Sequence, residues 1–403
     1  MRVLWISMYA PLSFSASAGS QTFHYYFKKF HNDKQFDIRL ISCVRFCDKE
    51  KADKELFDVF HDFICWGDPS QGFLQKARNI ESRYNPWNMN ANLISNTDVG
   101  FIFKTLQEYK INGYQPDIVI LEWTPMVLLA GRIRQFFPDA VIIASEHDVT
   151  FVGYERKSVY YDGIKKHIWR QKSNWEKKKE LEALSSCALI LPHNPENIDL
   201  LVKEGIDKER LQWLCPYFHN LTFCQRNPNG RDVLFFGAMS RSENYLSAIW
   251  FIENVMPNIS DIDVRFVVLG SNPPEELKKY QSERVIITGF VDSIVPYFES
   301  AICLVAPLVL GAGIKVKVLE GLSSGIPVIT NDIGIEGIPA KDGINYIHAK
   351  DPSQYEKAIR DAKAGKLESI GGFGRRFIQS NYDIDMSVEN YKERLVSLMD
   401  AKV

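Results

Sequence analysis

The sequence predicts an α/β protein of two doubly wound, Rossmann-like domains facing each other across a cleft. Three observations carry this. Short β-branched runs alternate with longer stretches of helical period, the pattern of parallel strands covered on both faces. The alternation occurs twice, and between the two halves CPYFHNLTFCQRNPNGRD, from Cys215 to Asp232, loses its period at Pro216, Pro228 and Gly230. Finally, 403 residues exceed what one hydrophobic core usually holds.

In chain order, the first half supplies VLWISMY (3–9), IRLISCV (38–44), IVILEW (118–123), VIIASEH (141–147) and CALILPH (187–193) as strands. The second supplies DVLFFGAM (232–239), VRFVVLG (264–270), RVIITGF (284–290), AICLVAP (301–307) and IPVITND (326–332). These runs place one domain over residues 1–215 and another over 216–385. Residues 386–403 close the chain as a helix, with Val388, Tyr391, Leu395 and Leu398 at helical spacing, expected to cross back to the first domain. Residues 66–100 have no clean period and read as an irregular insert, either functional or simply variable surface.

Composition excludes several classes. A chain 45% hydrophobic and 12% aromatic with a formal net charge of -2 is neither disordered nor the basic surface that nucleic acid binding requires. The seven cysteines are scattered without a CxxC pair, which suits buried thiols in a reducing compartment and argues against zinc. Pro11 interrupts the first apolar run too early for a secretory signal, and no run reaches the length of a spanning helix. The expected location is the cytoplasm, so the sequons at Asn220 and Asn258 carry no weight.

The stretch richest in chemistry is PLVLGAGIKVKVLEGLSSGIPVIT, from Pro307 to Thr330. It follows a strand and opens a helix. Gly311 and Gly313 let the backbone approach a ligand, the helix start offers N–H groups to an anion, and Lys315 and Lys317 add charge. Together they suit a diphosphate that gains charge as its bond to a sugar breaks. Glu320, further along the helix, could accept two hydrogen bonds from a ribose diol. A solvated lysine pair beside an ordinary glycine turn is the competing reading.

This stretch resembles the donor-site signature of GT-B glycosyltransferases of the retaining family-four group. DVLFFGAMSRSENYLSAIWFIENVMPNI (232–259), VVLGSNPPEELKKY, VIITGFVDSIVPYFESA and, near the front, SMYAPLSFSASAGSQTFHYYFKKF are similar to further segments of that family. The resemblance implies that Glu320 binds ribose and that Gly311, Gly313, Ile314, Lys315 and Lys317 hold the diphosphate. It also implies a phosphate contact from Arg241, a close approach at Gly237, and backbone contacts to the base around Phe290 and Val291. From the first domain, Gly19 and Ser20 would face the leaving phosphate or sugar, and His147 would stand near the donor sugar. His147, Lys317 and Gly19 are thus the expected catalytic residues. Two positions depart from the family pattern: Ala312 replaces a usual glutamate, and Asn244 stands where a lysine-glycine pair is common.

The implied reaction moves a hexose from a nucleotide diphosphate sugar to an acceptor hydroxyl with retained configuration, in cell-surface glycan assembly. It needs no cofactor and no metal, because lysines and a helix terminus take the cation's place. A sugar-nucleotide epimerase of the same shape and a non-catalytic nucleotide-sugar binder are the alternatives. On the acceptor side, residues 156–179 carry nine Lys or Arg interleaved with Tyr160, Tyr161, Trp169 and Trp175. This suits peripheral contact with anionic lipid at the inner membrane face and a glycan or lipid-linked acceptor; a solvated helix packing its aromatics inward fits equally.

Overall fold

A computed structural model describes residues 1–15, 17–67, 72, 94–311 and 313–401. Most of the irregular insert at 66–100, and Ala312, lie outside these residues. The chain forms two compact units, Met1–Cys215 with Asp385–Val403, and Pro216–Ile384.

Each unit is built on a six-stranded sheet. The first contains β1 (Arg2–Ser7), β2 (Asp37–Arg45), β3 (Phe60–Trp66), β4 (Ile118–Glu122), β5 (Val141–Glu146) and β6 (Leu189–Pro192), in the order β3-β2-β1-β4-β5-β6. All pairs are parallel; Val3, for example, stands opposite Ile38 on one side and Ile118 on the other. The second contains β7 (Asp232–Phe236), β8 (Arg265–Leu269), β9 (Val285–Gly289), β10 (Cys303–Ala306), β11 (Val328–Thr330) and β12 (Ile347–His348), in the order β12-β11-β10-β7-β8-β9. It repeats the same winding. In both sheets the order reverses beside the first strand, at β1/β4 and at β7/β10, where the connections diverge and leave a crevice at the carboxyl ends. β3 and β12, which the reading of apolar runs does not supply, are edge strands: β3 carries His61 and Asp62 side by side and buries only Ile64 fully, and β12 is two residues long.

The strands β1, β4, β5 and β7 are buried along nearly their whole length, as sheets covered on both faces require. In the first unit α1 (Ala18–His31) lays Phe23, Phe27 and Phe30 around Trp5, with ring centroids 5.4 to 5.6 Å apart. α2 (Asn96–Ile111) contributes Val99, Ile102 and Leu106 to the opposite face. The basic segment is not one helix. α3 (Thr150–Tyr160) and α4 (Gly163–Ser185) form a hairpin that breaks at Asp162-Gly163, where Gly163 takes φ +61°. In the second unit α5 (Ser242–Asn254), α6 (Val316–Ser324), α7 (Pro352–Lys363) and α8 (Glu368–Asn381) flank the sheet, and Phe235, Phe251, Phe266 and Tyr355 fill its core.

The closing helix α9 (Ile384–Asp400) packs on α1: Tyr391 meets Phe30 at 5.0 Å, and Tyr26 bonds Ser387 Oγ at 2.7 Å. All seven cysteines are free thiols, five of them buried. Among the described residues no helix is long and apolar enough to cross a membrane.

Candidate functional site

In the first unit the carboxyl ends of β1, β4, β5 and β6 bring four segments together. Ser17 caps α1, accepting from the Ser20 N–H at 3.1 Å, and Gly19 lies in the helix's first turn. His147 follows β5 directly and is 8% exposed. A side-chain carbon at Gly19 would stand 3.0 Å from His147 Nδ1, so the glycine is what lets the imidazole reach the helix start. Trp123, following β4 with φ +70°, stacks flat on His147 at 4.1 Å. A bulky residue at positive φ is strained, so the packing around Trp123 must hold it there.

Beneath His147 lies a buried polar network. Glu122 Oε1 accepts from the Ser145 hydroxyl at 2.6 Å and pairs with His147 Nε2 at 2.7 Å, while its Oε2 accepts from the Trp5 indole at 2.8 Å. His193 Nε2 stands 3.1 Å from Ser145 Oγ, and its ring lies 3.9 Å from that of His147. Burial lowers the pKa of His147 to about 3. Burial, with His147 as neighbour, also takes His193 well below the ordinary range, so both rings are neutral. Ligand atoms of Glu122, His147 and His193 lie within 4.8 Å of one another, close enough for a metal. Glu122 Oε1, His147 Nε2 and His193 Nε2 are hydrogen-bonded inside the protein, and His147 Nδ1 lies outside this network.

In the second unit the reversal point carries positive charge. Gly237 ends β7 with φ +152°, and a carbon added there would meet Lys317 Nζ and Asn244 Nδ2 at 2.9 Å. Lys317, in the first turn of α6, bonds Asn244 Oδ1 at 2.6 Å and lies 4.6 Å over the Phe235 ring. Burial, reinforced by the Arg241 guanidinium, lowers its ammonium to about 7. Lys315 precedes α6, donates to the Gly313 carbonyl and stands 3.7 Å from Glu336. Gly311 (φ +141°) and Gly313 (φ +71°) shape the loop around it.

Of the remaining expected residues, Glu320 is 5% exposed on α6, with Oε1 accepting from the His219 N–H at 3.2 Å and paired with His219 Nδ1 at 2.7 Å. That hydrogen bond raises the His219 pKa. His219 escapes sequence reading because the segment around it has no period. Arg241 is bonded to Glu243 at 2.7 Å. Phe290 is exposed and Val291 half-buried just past β9, while Ile314 lies half-buried before α6. Ser20 is buried, with both its N–H and its hydroxyl bonded to Ser17 Oγ, so it serves the cap of α1. The first unit thus gathers Gly19 and His147, and the second gathers Gly237, Lys317, Lys315, Gly311, Gly313 and Arg241 around β7 and β10. Glu122, Trp123, Ser145 and His193 were not singled out from the sequence; their only signal is that they end strands.

Residues 230–363 match the family described as glycosyl transferases group 1. An uncharacterised 44.6 kDa protein in the cps region of Klebsiella pneumoniae is 27% identical over 198 residues, 45% of this chain; the match spans about half (51%) of that relative. Among solved structures, sucrose-phosphate synthase from Thermosynechococcus elongatus superposes with a TM-score of 0.71 at 13% identity, covering 99% of each chain. HepE of Anabaena, in complex with UDP, superposes at 0.66 and 12% identity, covering 98% of this chain and 100% of HepE. The chain has the two-domain GT-B fold, and the stretch that matches the glycosyl transferases group 1 model, residues 230–363, lies within its second unit.

Proposed function

We propose that the protein is a glycosyltransferase that moves a hexose from a nucleotide diphosphate sugar to an acceptor hydroxyl, with retained configuration and without a metal, in cell-surface glycan assembly. One observation carries the reading: Lys317 is held against Gly237 where the order of the second sheet reverses, at the start of α6 and inside the segment that matches the family. A desolvated ammonium at a helix start suits a pyrophosphate whose charge grows as the glycosidic bond breaks. Lys315 and Arg241 add positive charge, Glu320 takes the ribose diol, and Gly19 with His147 meets the sugar or leaving phosphate. The complex of HepE with UDP supports a nucleoside diphosphate as the donor's leaving group.

For the acceptor, the α3–α4 hairpin favours a lipid-linked glycan. Val159, Tyr160, Ile164 and Ile168 are exposed around its turn, beside Lys157, Lys165, Lys166 and Arg170. Apolar side chains flanked by cations suit insertion into an anionic bilayer surface. Equal flotation with anionic liposomes of the wild type and of a variant with Lys165, Lys166 and Arg170 all changed to Glu would remove the membrane contact. For the reaction, a panel of nucleotide sugars is incubated with lipid-linked acceptors and read by mass spectrometry. The expected result is free nucleoside diphosphate and extended acceptor, with activity retained in EDTA. Epimerised donor, or donor bound and returned intact, would overturn the assignment.

A further inference from the structure

We propose that Glu122 is a positioning residue for His147, fixing the imidazole as the tautomer protonated at Nε2 and so presenting a lone pair at Nδ1 over Gly19. The argument starts from what each partner can do. The Trp5 indole can only donate, and it donates to Glu122 Oε2 at 2.8 Å. The Ser145 hydroxyl donates to Oε1 at 2.6 Å. A carboxylate taking these two donors is an acceptor toward His147 as well, so the proton on the 2.7 Å contact belongs to His147 Nε2. Because burial keeps the ring neutral, Nδ1 then carries no proton.

Among the described residues Nδ1 makes no hydrogen bond, and it faces the one position in the first turn of α1 that has no side chain. Trp123 on one face and His193 on the other prevent the ring from turning. An unprotonated nitrogen there accepts from a hydroxyl and repels a phosphate oxygen. On the proposed reaction, on which this inference rests, His147 therefore holds a sugar hydroxyl in place, and the charge of the diphosphate is left to the lysines of the second unit.

The same donor inventory makes a sharp test. In Glu122→Gln, the Ser145 hydroxyl can rotate to accept whereas the indole can only donate, so the amide oxygen turns to Trp5 and the NH₂ group turns to His147 Nε2 and Ser145 Oγ. That arrangement forces the proton onto Nδ1. In the full chain labelled with ¹⁵N-histidine, with His147 assigned by the His147→Gln variant, long-range ¹H–¹⁵N spectra should show the Nε2–H tautomer in wild type and the Nδ1–H tautomer in Glu122→Gln. Adding Trp5→Phe removes the indole donor, frees the amide to turn back, and should restore the wild-type tautomer. Transfer kinetics should follow the tautomer: kcat falls about 10²-fold in Glu122→Gln, donor KM changes less than threefold, and the double variant recovers at least tenfold. A wild-type ring protonated at Nδ1, or a Glu122→Gln spectrum unchanged from wild type, overturns the proposal. So does a switched tautomer with turnover within twofold of wild type. Failure of every nucleotide sugar to react with the wild type would instead strike the proposed reaction, and the spectra would still decide what Glu122 does to His147.

Discussion

At the carboxyl ends of its central strands the first unit holds two neutral imidazoles over a carboxylate saturated by donors, whereas the second holds a desolvated ammonium against Gly237. The sheets that carry them have the same strand order. What differs is the chemistry each reversal point was given: uncharged acceptors and fixed rings in one, desolvated positive charge in the other. On the proposed function, one winding serves a hydroxyl in one unit and a diphosphate in the other, because the fold sets where a ligand sits and the loop residues set what it is.

The contrast breaks first at Lys317. If the second unit works by charge, Lys317→Ala should lower kcat by about 10²- to 10³-fold in steady-state assays, the range expected when one charge-stabilising donor is lost. A variant within threefold of wild type would leave the second unit without its distinguishing feature.

The next test uses the glycine that each unit places after its first strand. Gly237→Ala puts a carbon 2.9 Å from Lys317 Nζ and Asn244 Nδ2 on backbone at φ +152°. Strained conformation and contact together should cost about 1–3 kcal/mol of stability and about 10²-fold in kcat. Gly19→Ala meets the His147 ring, with Nδ1 at 3.0 Å and two ring carbons at 3.6 Å, on ordinary helical backbone. It should lose about tenfold in kcat with an unchanged melting temperature. Equal losses in both respects would mean the two glycines do the same job.

A third difference lies deeper in the first unit. On α4, Glu176 and Glu180 are buried near Glu146, and one oxygen of Glu146 and one of Glu176 are buried without a hydrogen-bond partner among the described residues. Glu180 caps α3, accepting from the Thr150 and Phe151 N–H groups at 2.9 and 3.1 Å. Burial, with Glu180 as neighbour, raises Glu176 to about 9; burial raises Glu180 to about 7. Unfolded carboxyls titrate near 4.5, so between that pH and about 9 the folded unit keeps protons that the unfolded chain has released. Stability therefore falls as pH rises through this window. Thermal melts should drop from pH 6 to pH 9, and Glu176→Gln should remove about 1–3 kcal/mol of the drop. A wild-type melt that rises over the same range would refute the assignment.

These glutamates also show where sequence reading stops. The double winding, the break near Cys215 and the cluster of Gly311, Gly313, Lys315 and Lys317 were legible because apolar runs, loss of period and a glycine-lysine cluster after a strand are local signals, whereas Gly237 entered only through the family resemblance. The helix carrying Glu176 was legible only as a basic, aromatic segment, since nothing local tells a carboxylate on a charged helix that it will face the core. The same segment reads as one helix from sequence, which misses the turn at Asp162-Gly163 that divides it. Glu122, Ser145 and His193 lie on three strands and acquire meaning only when β4, β5 and β6 are laid side by side. His219 reaches Glu320 across 101 residues from a segment without period.

The finest test of the contrast counts protons. On the proposed reading, a diphosphate restores the charge of Lys317, whose pKa of about 7 leaves it partly deprotonated at pH 7.5, so binding takes up part of a proton. Ribose arriving at Glu320 loosens its bond to His219, lowers that raised pKa, and releases part of one. Calorimetry of UDP binding in buffers of different ionisation enthalpy reads the sum. His219→Ala should move the count toward uptake and Lys317→Ala toward release, each by less than one proton. His147→Asn should leave it unchanged, because burial keeps that imidazole neutral throughout this range. A shift from His147→Asn as large as that from Lys317→Ala would mean that the first unit also meets charge, and the division of labour between the two sheets would fail.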